Sequence, residues 1–316
     1  MITYEEINLI KQYKSICLIG HTAPDADALA SAVVLRNFLI SQFELDAVDI
    51  FAECNSVPYS CSNFFENTQL NPTPSAYDVA IMLDSPNTER LGVYKTLFEN
   101  AKLKIVIDHH QTNLFQGDLN IVEKQSSTCE IVYSILKEFN YEFSKSDMEK
   151  IYAGIITDTN HFTVGNFNKK TFAIASEIID YVNHEEIHNQ FFNTNSLKNM
   201  QLLSLSIKNI TSSNSGQIII SHITHDEAKE YGATFDDFIG IINRLATIRH
   251  SLLICFIYPK NNSYYVSMRA KRKLKVSEIA KNHGGGGHDG AAAFLSDLPL
   301  TEIEEKILES FSSLLD

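Results

Sequence analysis

Positive charge is scarce in this chain. Its 316 residues carry 26 Lys and Arg against 39 Asp and Glu, a formal net charge of -13 at pH 7. That balance argues against a surface coated with basic groups for long nucleic acid. Small anionic ligands stay open, because bound metal ions invert a local field. Cysteine is sparse as well. Cys17, Cys54, Cys61, Cys129 and Cys255 are scattered and form no CxxC pair. Neither a disulfide framework nor a cysteine-type zinc site is indicated. The thiols read as reduced, with Cys17 and Cys255 in buried strands. No apolar run is long enough to span a membrane, and the start MITYEEINLIKQYK lacks an apolar signal core. A cytoplasmic location without membrane association is therefore expected. Internal repeats and low-complexity tracts are absent. What remains is ordinary for a globular chain: 44% hydrophobic and 21% charged residues. A sizeable core can form, and the length suits two domains.

Four short apolar runs stand in the first half: Ser15–Gly20 (SICLIG), Ala47–Phe51, Val79–Asp84 (VAIMLD) and Leu103–Asp108 (LKIVID). They read as buried parallel strands. Asp27–Phe43, Thr128–Phe139 and Asp147–Thr157 have helical spacing, the first with an Asp near its start, where a carboxylate suits the helix dipole. The alternation predicts an α/β domain, a parallel sheet with helices on both faces. Lys170–Val182 and Ser196–Asn209 also look helical, and Thr211–Gly216 (TSSNSG) is a polar breaker. Beyond it, Gln217–Thr224, Leu252–Tyr258 and Tyr264–Arg269 read as strands, with helices near Phe235–Ile248, Val276–Asn282 and Leu300–Leu315. The expected organisation is a first domain over 1–190, a linking region over 191–215 and a smaller α/β domain over 216–316.

Ligands of parallel sheets collect beyond the carboxyl ends of the strands. Three of the runs deliver Gly-His, Asp-Ser and Asp-His-His at that end. His21-Thr22-Ala23-Pro24-Asp25-Ala26-Asp27 places one imidazole and two carboxylates in one loop. Nitrogen and oxygen donors so close together suit hard or borderline divalent cations, and Pro24 stiffens the loop. Taken alone, Asp25 and Asp27 could simply cap the next helix, and Asp84 could be a turn former. Asp158, after the apolar stretch Gly154-Ile155-Ile156-Thr157, needs a reason for its charge. Jointly these segments present His21, Asp25, Asp27, Asp84, His109 and Asp158 at loop ends of one sheet. Such a set fills two metal sites with a shared carboxylate. A two-metal site activates water near neutral pH and stabilises attacking and leaving oxygens.

The motifs HTAPDADALAS (His21–Ser31), VAIMLDS (Val79–Ser85), IDHH (Ile107–His110) and GIITDT (Gly154–Thr159), followed by GGGGH (Gly284–His288), resemble those of the DHH/DHHA1 phosphoesterase superfamily. In size and domain pairing the chain is similar to the bacterial nanoRNase/pAp phosphatase (NrnA-like) group. The resemblance implies a Mn²⁺-dependent hydrolase acting on short oligoribonucleotides, on pAp (adenosine 3′,5′-bisphosphate), or on linear or cyclic dinucleotides. It implies that His21, Asp25 and Asp84 bind one ion. Asp27, Asp84, His109 and Asp158 would bind the other. His110 is assigned to the substrate phosphate or the leaving oxygen, as a general acid. The active site is expected in the cleft between the domains.

Four consecutive glycines, Gly284, Gly285, Gly286 and Gly287, let backbone N–H groups approach an anion, and His288 adds a donor. The basic run Arg269, Lys271, Arg272, Lys273 and Lys275 follows a predicted strand. Arg269, in a family-like Ser-x-Arg, is the preferred phosphate fork. Arg90, in Arg-Leu-Gly, is a second candidate at the scissile phosphate. Where the family commonly places Gly after the small residues, this chain has Ala293-Phe294. Other readings are a manganese-dependent inorganic pyrophosphatase, against which the glycine-rich domain speaks, and a RecJ-like exonuclease, for whose extra domains the chain has no room. A nucleotide-binding regulator is the non-enzyme alternative. Long duplex DNA is not expected as a partner. Oligomeric state is open, a homodimer included.

Overall fold

The structure, a computed structural model, describes residues 4–45, 48–53, 61, 64–65, 68–193 and 195–315. The chain divides into two compact units, residues 1–194 and 195–316.

In the first unit β1 (Ile16–Ile19), β2 (Val48–Phe51), β3 (Val79–Leu83), β4 (Leu103–Asp108) and β5 (Leu119–Val122) form one sheet in the order β2-β1-β3-β4-β5. Every pairing is parallel, with Ile16 opposite both Val48 and Val79. Such a sheet must be covered on both faces, and the pleat sorts its residues accordingly. Ile16, Leu18, Ile81, Leu83, Ile105 and Ile107 enter the larger core. Cys17, Ile19, Ala80, Met82 and Val106 face the other way. The larger core is closed by α1 (Ala26–Phe43), α3 (Thr128–Glu138) and α4 (Lys145–Asp158). The opposite face is thinner, covered by α2 (Lys95–Asn100), whose Phe98 is buried, and by the 3-10 segment Thr88–Tyr94 through Leu91. Two further helices, α5 (Lys169–Ile178) and α6 (His184–Phe192), complete the unit. The expected α/β layering is present. The strand β5 was not expected, because Asn120 interrupts its four residues, of which only Ile121 is buried, so no apolar run announces it. Ala47, the expected start of β2, and Cys54 lie outside the described residues.

Helix α1 is buried along all of its first ten residues, four of them alanine. A helix buried all round sits inside a core rather than on its rim. Small side chains let α3 and α4 approach it closely, and Gly154 on α4 does the same from the other side. A Cβ at Gly154 would lie 2.3 Å from Cys129 Sγ and 2.8 Å from Asp27 Oδ1.

The second unit begins with α7 (Leu197–Lys208) and carries a six-stranded mixed sheet in the order β10-β11-β9-β8-β7-β6. Its strands are β6 (Thr211–Ser213), β7 (Ile218–His222), β8 (Leu253–Lys260), β9 (Ser263–Ala270), β10 (Gly286–His288) and β11 (Ala291–Ser296). Only β7 and β8 pair in parallel. One face packs on α7 and α9 (Ile241–Leu245), through Leu202, Ile241 and Leu245. The other packs on α10 (Val276–Asn282) and α11 (Leu300–Leu315), through Ile279, Ile307 and Phe311. The short α8 (His225–Glu230) lies between β7 and β8 in sequence.

The helix expected over Ser196–Asn209 is present as α7, whose Leu202 is buried in the second unit's core. One expectation needs correction here. The single helix expected over Phe235–Ile248 is a 3-10 turn, Phe235–Phe238, and the separate α9. Gly240 stands between them at φ 86°, a left-handed conformation that ends one segment and admits the next.

Substituting Gly154→Ala should lower stability by about 1–3 kcal/mol through overpacking. This is expected although alanine favours an exposed helix by about 1 kcal/mol over glycine. Thermal unfolding followed by far-ultraviolet circular dichroism reads the sign directly.

Candidate metal centre

The carboxyl ends of β1, β3 and β4 and two helix termini bring the candidate ligands together. His21 follows β1. Asp25 is the N-cap of α1, accepting the Ala28 N–H at 3.1 Å. Asp27 lies in the first turn of α1 and is fully buried. Both its oxygens are engaged by the start of α3: Thr128 N–H donates to Oδ2 at 2.7 Å and Cys129 N–H to Oδ1 at 2.9 Å. A carboxylate at that helix N-terminus satisfies two otherwise unpaired donors and meets the positive end of the dipole. Thr128 Oγ1 in turn donates to Asp84 Oδ1 at 3.0 Å.

Asp84 is the hinge of the arrangement. It directly follows β3 with φ 53°, a left-handed backbone rarely adopted by residues with a Cβ. Local strain of this kind persists where the surroundings over-determine it, often at functional sites. Its Oδ2 lies 3.6 Å from His21 Nε2 and its Oδ1 3.3 Å from His109 Nε2. The two oxygens thus face two different imidazoles. Asp25 Oδ2 lies 3.8 Å from His21 Nε2, and Asp158 Oδ2 3.2 Å from His109 Nε2. Ligand-type atoms of His21, Asp25 and Asp84 all lie within 4.8 Å of one another, and so do those of Asp27, His109 and Asp158. All six sequence-derived metal candidates fall in these two groups.

The chemistry of the donors fits a divalent cation. His21 Nδ1 is 2.8 Å from Thr22 O, and His109 Nδ1 is 3.4 Å from Gln125 O. A carbonyl only accepts, so each Nδ1 carries a proton. Burial opposes charge on both rings, yet hydrogen bonds to the carboxylates, Asp84 for both and Asp25 for His21, raise their pKa to about 10. Each Nε2 therefore also holds a proton, which a bound cation would replace. Arg90 Nη2, 3.3 Å from His21 Nδ1, is then a neighbour of that nitrogen rather than a donor to it. Burial, then repulsion from Asp84, pushes Asp27 up to about 7. Burial, then Asp27 and Asp84, pushes Asp158 up to about 9. Burial opposes the charge on Asp84 too, yet its hydrogen bonds with His109 and His21 hold it well below the usual carboxylate range. Asp158 also ends α4, at the negative end of that helix dipole. These are carboxylates gathered against their own repulsion, and a bound dication reverses that repulsion. With nitrogen and oxygen donors and no thiolate, the set suits Mn²⁺- or Mg²⁺-like ions.

A third group, Asp84, Asp108, His109 and His110, was only partly anticipated. Asp108 is fully buried and was read as a strand end, not as a site residue. His110 Nδ1 lies 2.7 Å from Asp108 Oδ1, while Asn113 Nδ2 donates to Asp108 Oδ2 at 2.6 Å and to Ser85 O at 3.1 Å. The carboxylate fixes the imidazole's tautomer and leaves Nε2 available. Burial disfavours charge on His110, but the bond to Asp108 outweighs it and raises the pKa. The Asp before the two histidines was the available signal for this role. The Arg90 backbone is tied to the His21 loop: Thr22 N–H donates to Arg90 O at 2.7 Å. The Arg-Leu-Gly turn is shaped by Gly92 at φ 57°, where a Cβ would strike the Glu53 carboxylate.

In the second unit Arg269 is half-buried on β9, its Nε donating to Asn243 Oδ1 at 3.1 Å and its Nη1 to Met268 O at 3.0 Å. No ion pair to Arg269 is formed among the described residues, and burial lowers its pKa. The glycine run has packing reasons of its own. Gly284 closes α10 at φ 73°. A Cβ at Gly285 would lie 2.2 Å from Ala293 O, and one at Gly287 would lie 2.5 Å from Ala291 O. Gly286–His288 pairs antiparallel with β11 as an edge strand, so this segment is a ladder rather than a free loop. The His288 side chain lies outside the described residues.

Residues 15–159 match the DHH family, N-terminal domain, and residues 215–315 match the DHHA1 domain. A Bacillus subtilis (strain 168) protein named bifunctional oligoribonuclease and PAP phosphatase NrnA is 27% identical over 289 residues, 90% of each chain. A Streptococcus mutans relative named probable bifunctional oligoribonuclease and PAP phosphatase NrnA is 27% identical over 282 residues, 88% of each. The crystal structure of an exopolyphosphatase-related protein from Bacteroides fragilis shares the fold, with a TM-score of 0.84 at 22% identity over 99% of this chain and 97% of that one. Both domains are thus matched in order: the chain contains a DHH N-terminal domain followed by a DHHA1 domain.

Proposed function

We propose that this chain is a metal-dependent phosphoesterase that hydrolyses short oligoribonucleotides and pAp with two divalent ions, Mn²⁺ by preference. One observation carries the reading: the two oxygens of Asp84 face His21 and His109, each of which anchors its own ligand group. That is the donor layout of a two-ion site with a shared carboxylate. The curated relatives named for oligoribonuclease and PAP phosphatase activity, matched over most of their length, supply the substrate class.

In this reading His21, Asp25 and Asp84 hold one ion and Asp27, Asp84, His109 and Asp158 the other. Bound divalent ions supply Lewis acidity toward a phosphate ester and activate water at neutral pH. The chain's own groups do the rest. The start of α3 fixes Asp27 and, through Thr128, Asp84. His110, with its Nδ1–H held by Asp108, delivers a proton from Nε2 to the leaving oxygen. Arg90 neutralises charge that develops on the phosphate. The first unit carries catalysis, and Arg269 with the Gly284–His288 segment is the candidate phosphate-binding set of the second.

Adding Mn²⁺ at about 100 times its dissociation constant should stabilise the chain by about 2.7 kcal/mol. Thermal unfolding with and without a chelator measures this without reference to turnover, and an unchanged midpoint would remove the metal assignment. With Mn²⁺ present, pAp and a 5′-phosphorylated diribonucleotide should both be hydrolysed, and Asp84→Ala should abolish both reactions. Turnover of pyrophosphate alone would replace this reading with that of a pyrophosphatase. Asp108→Asn should lower kcat about 10²- to 10³-fold with little change in KM, since a positioned general acid contributes on that scale. Steady-state kinetics on pAp separate the two parameters.

A further inference from the structure

The turn after Asp158 is strained in a way the metal centre does not require. Asn160, His161 and Phe162 are consecutive residues in the left-handed region, at φ 43°, 57° and 58°. A Cβ makes that conformation costly at each of them. Thr159 holds the turn in place. Its hydroxyl accepts the Phe162 N–H at 3.0 Å, and its carbonyl accepts the N–H groups of Thr163 and Val164 at 2.9 and 3.0 Å. Strain maintained by surrounding bonds is a pointer to function.

The turn aims a ring. His161 packs its imidazole on Phe192 of α6, with centroids 3.9 Å apart, and on His188, with centroids 4.7 Å apart. His161 Nε2 and His188 Nδ1 share a hydrogen bond at 2.9 Å, which fixes the ring's orientation. His188 itself stacks on Phe192 with an interplanar angle of 15°. The His161 ring remains only partly covered. Burial, with the neighbouring His188, holds its pKa below the ordinary value, so the ring is neutral and offers a π face rather than a charge. Three residues of chain place its Cα within about 11 Å of that of Asp158. A nucleotide whose phosphate sits at the metal centre has its base on that scale of distance.

We propose that the His161 ring, backed by Phe192 and His188, is the platform on which a nucleobase of the substrate stacks. Every base has a π face, so the platform selects nucleotides over base-free phosphate esters without selecting sequence. The inference rests on the phosphoesterase reading and adds a binding surface to it.

The test compares kcat/KM for pAp and for its abasic analogue, both with Mn²⁺. Wild type should prefer pAp, and His161→Ala should lower that preference about ten-fold, the scale of one base–aromatic stack. His161→Phe, which keeps a flat ring, should restore it. His161→Leu, apolar but not aromatic, should fail as alanine does, and it guards against a loosened turn in the alanine variant. Direct binding gives a second readout. The chain has no tryptophan, so 2-aminopurine riboside 5′-monophosphate can be followed by its own emission. Wild type should quench it, and His161→Ala should not. A preference that His161→Ala and His161→Leu leave intact, or that His161→Phe fails to restore, overturns the platform. A wild type that hydrolyses neither compound overturns the phosphoesterase reading instead, and quenching then judges the platform by itself.

Discussion

Two backbone N–H groups at the start of α3, those of Thr128 and Cys129, grip the carboxylate of Asp27 on α1. Much of the first unit follows from that grip. It joins the central buried helix to its neighbour, ends the search of two otherwise unpaired donors, and fixes a carboxylate where water is excluded. The same residue extends the network, because the Thr128 hydroxyl reaches Asp84. A fold contact and a chemical centre are therefore one structure. The arrangement is expensive in isolation: a buried carboxylate surrounded by others prefers to be protonated, and Asp27 and Asp158 both move in that direction. The helix dipole and the N–H groups offset part of the cost, and a bound cation would offset the remainder.

The parallel sheet serves this centre by geometry rather than by chemistry. Its strands are stacked in register, so residues that end β1, β3 and β4 arrive at one edge without any of them being near another in sequence. Asp84 needs a left-handed backbone to turn its carboxylate between two imidazoles. Asp108 lies one residue before His109, a candidate metal donor, and serves the next histidine instead. One strand end thus furnishes a candidate metal donor, a candidate proton donor and the group that orients it.

Much of this was legible in the sequence. Apolar runs ending in His, Asp or Asp-His-His, each followed by helical spacing, contain both the layering and the place where ligands converge. All six metal candidates were found that way, because strand ends and helix starts are set by short local patterns. What escaped depends on side-chain direction and backbone conformation, which residue spacing does not set. Asp108 reads as a strand end until Asn113 and His110 are seen on its two oxygens. Strand β5 is too short and too polar to register. The glycine run, read for its freedom to approach an anion, owes Gly285 and Gly287 to the carbonyls of β11. The helix expected over 235–248 failed at Gly240, where a single left-handed residue outweighs periodicity.

Gly154 shows how far the centre's influence extends beyond its ligands. It offers no side chain to the centre, yet the room it leaves is filled by the Cys129 thiol on one side and the Asp27 carboxylate on the other. In evolutionary terms the two neighbours differ sharply. The thiol is buried and chemically idle, its pKa pushed far up by its surroundings, so selection is free to trim it. The carboxylate has no such freedom. A lineage that enlarges position 154 must therefore shrink position 129 at nearly the same time, and the two sites should drift as a pair while every ligand around them stands still.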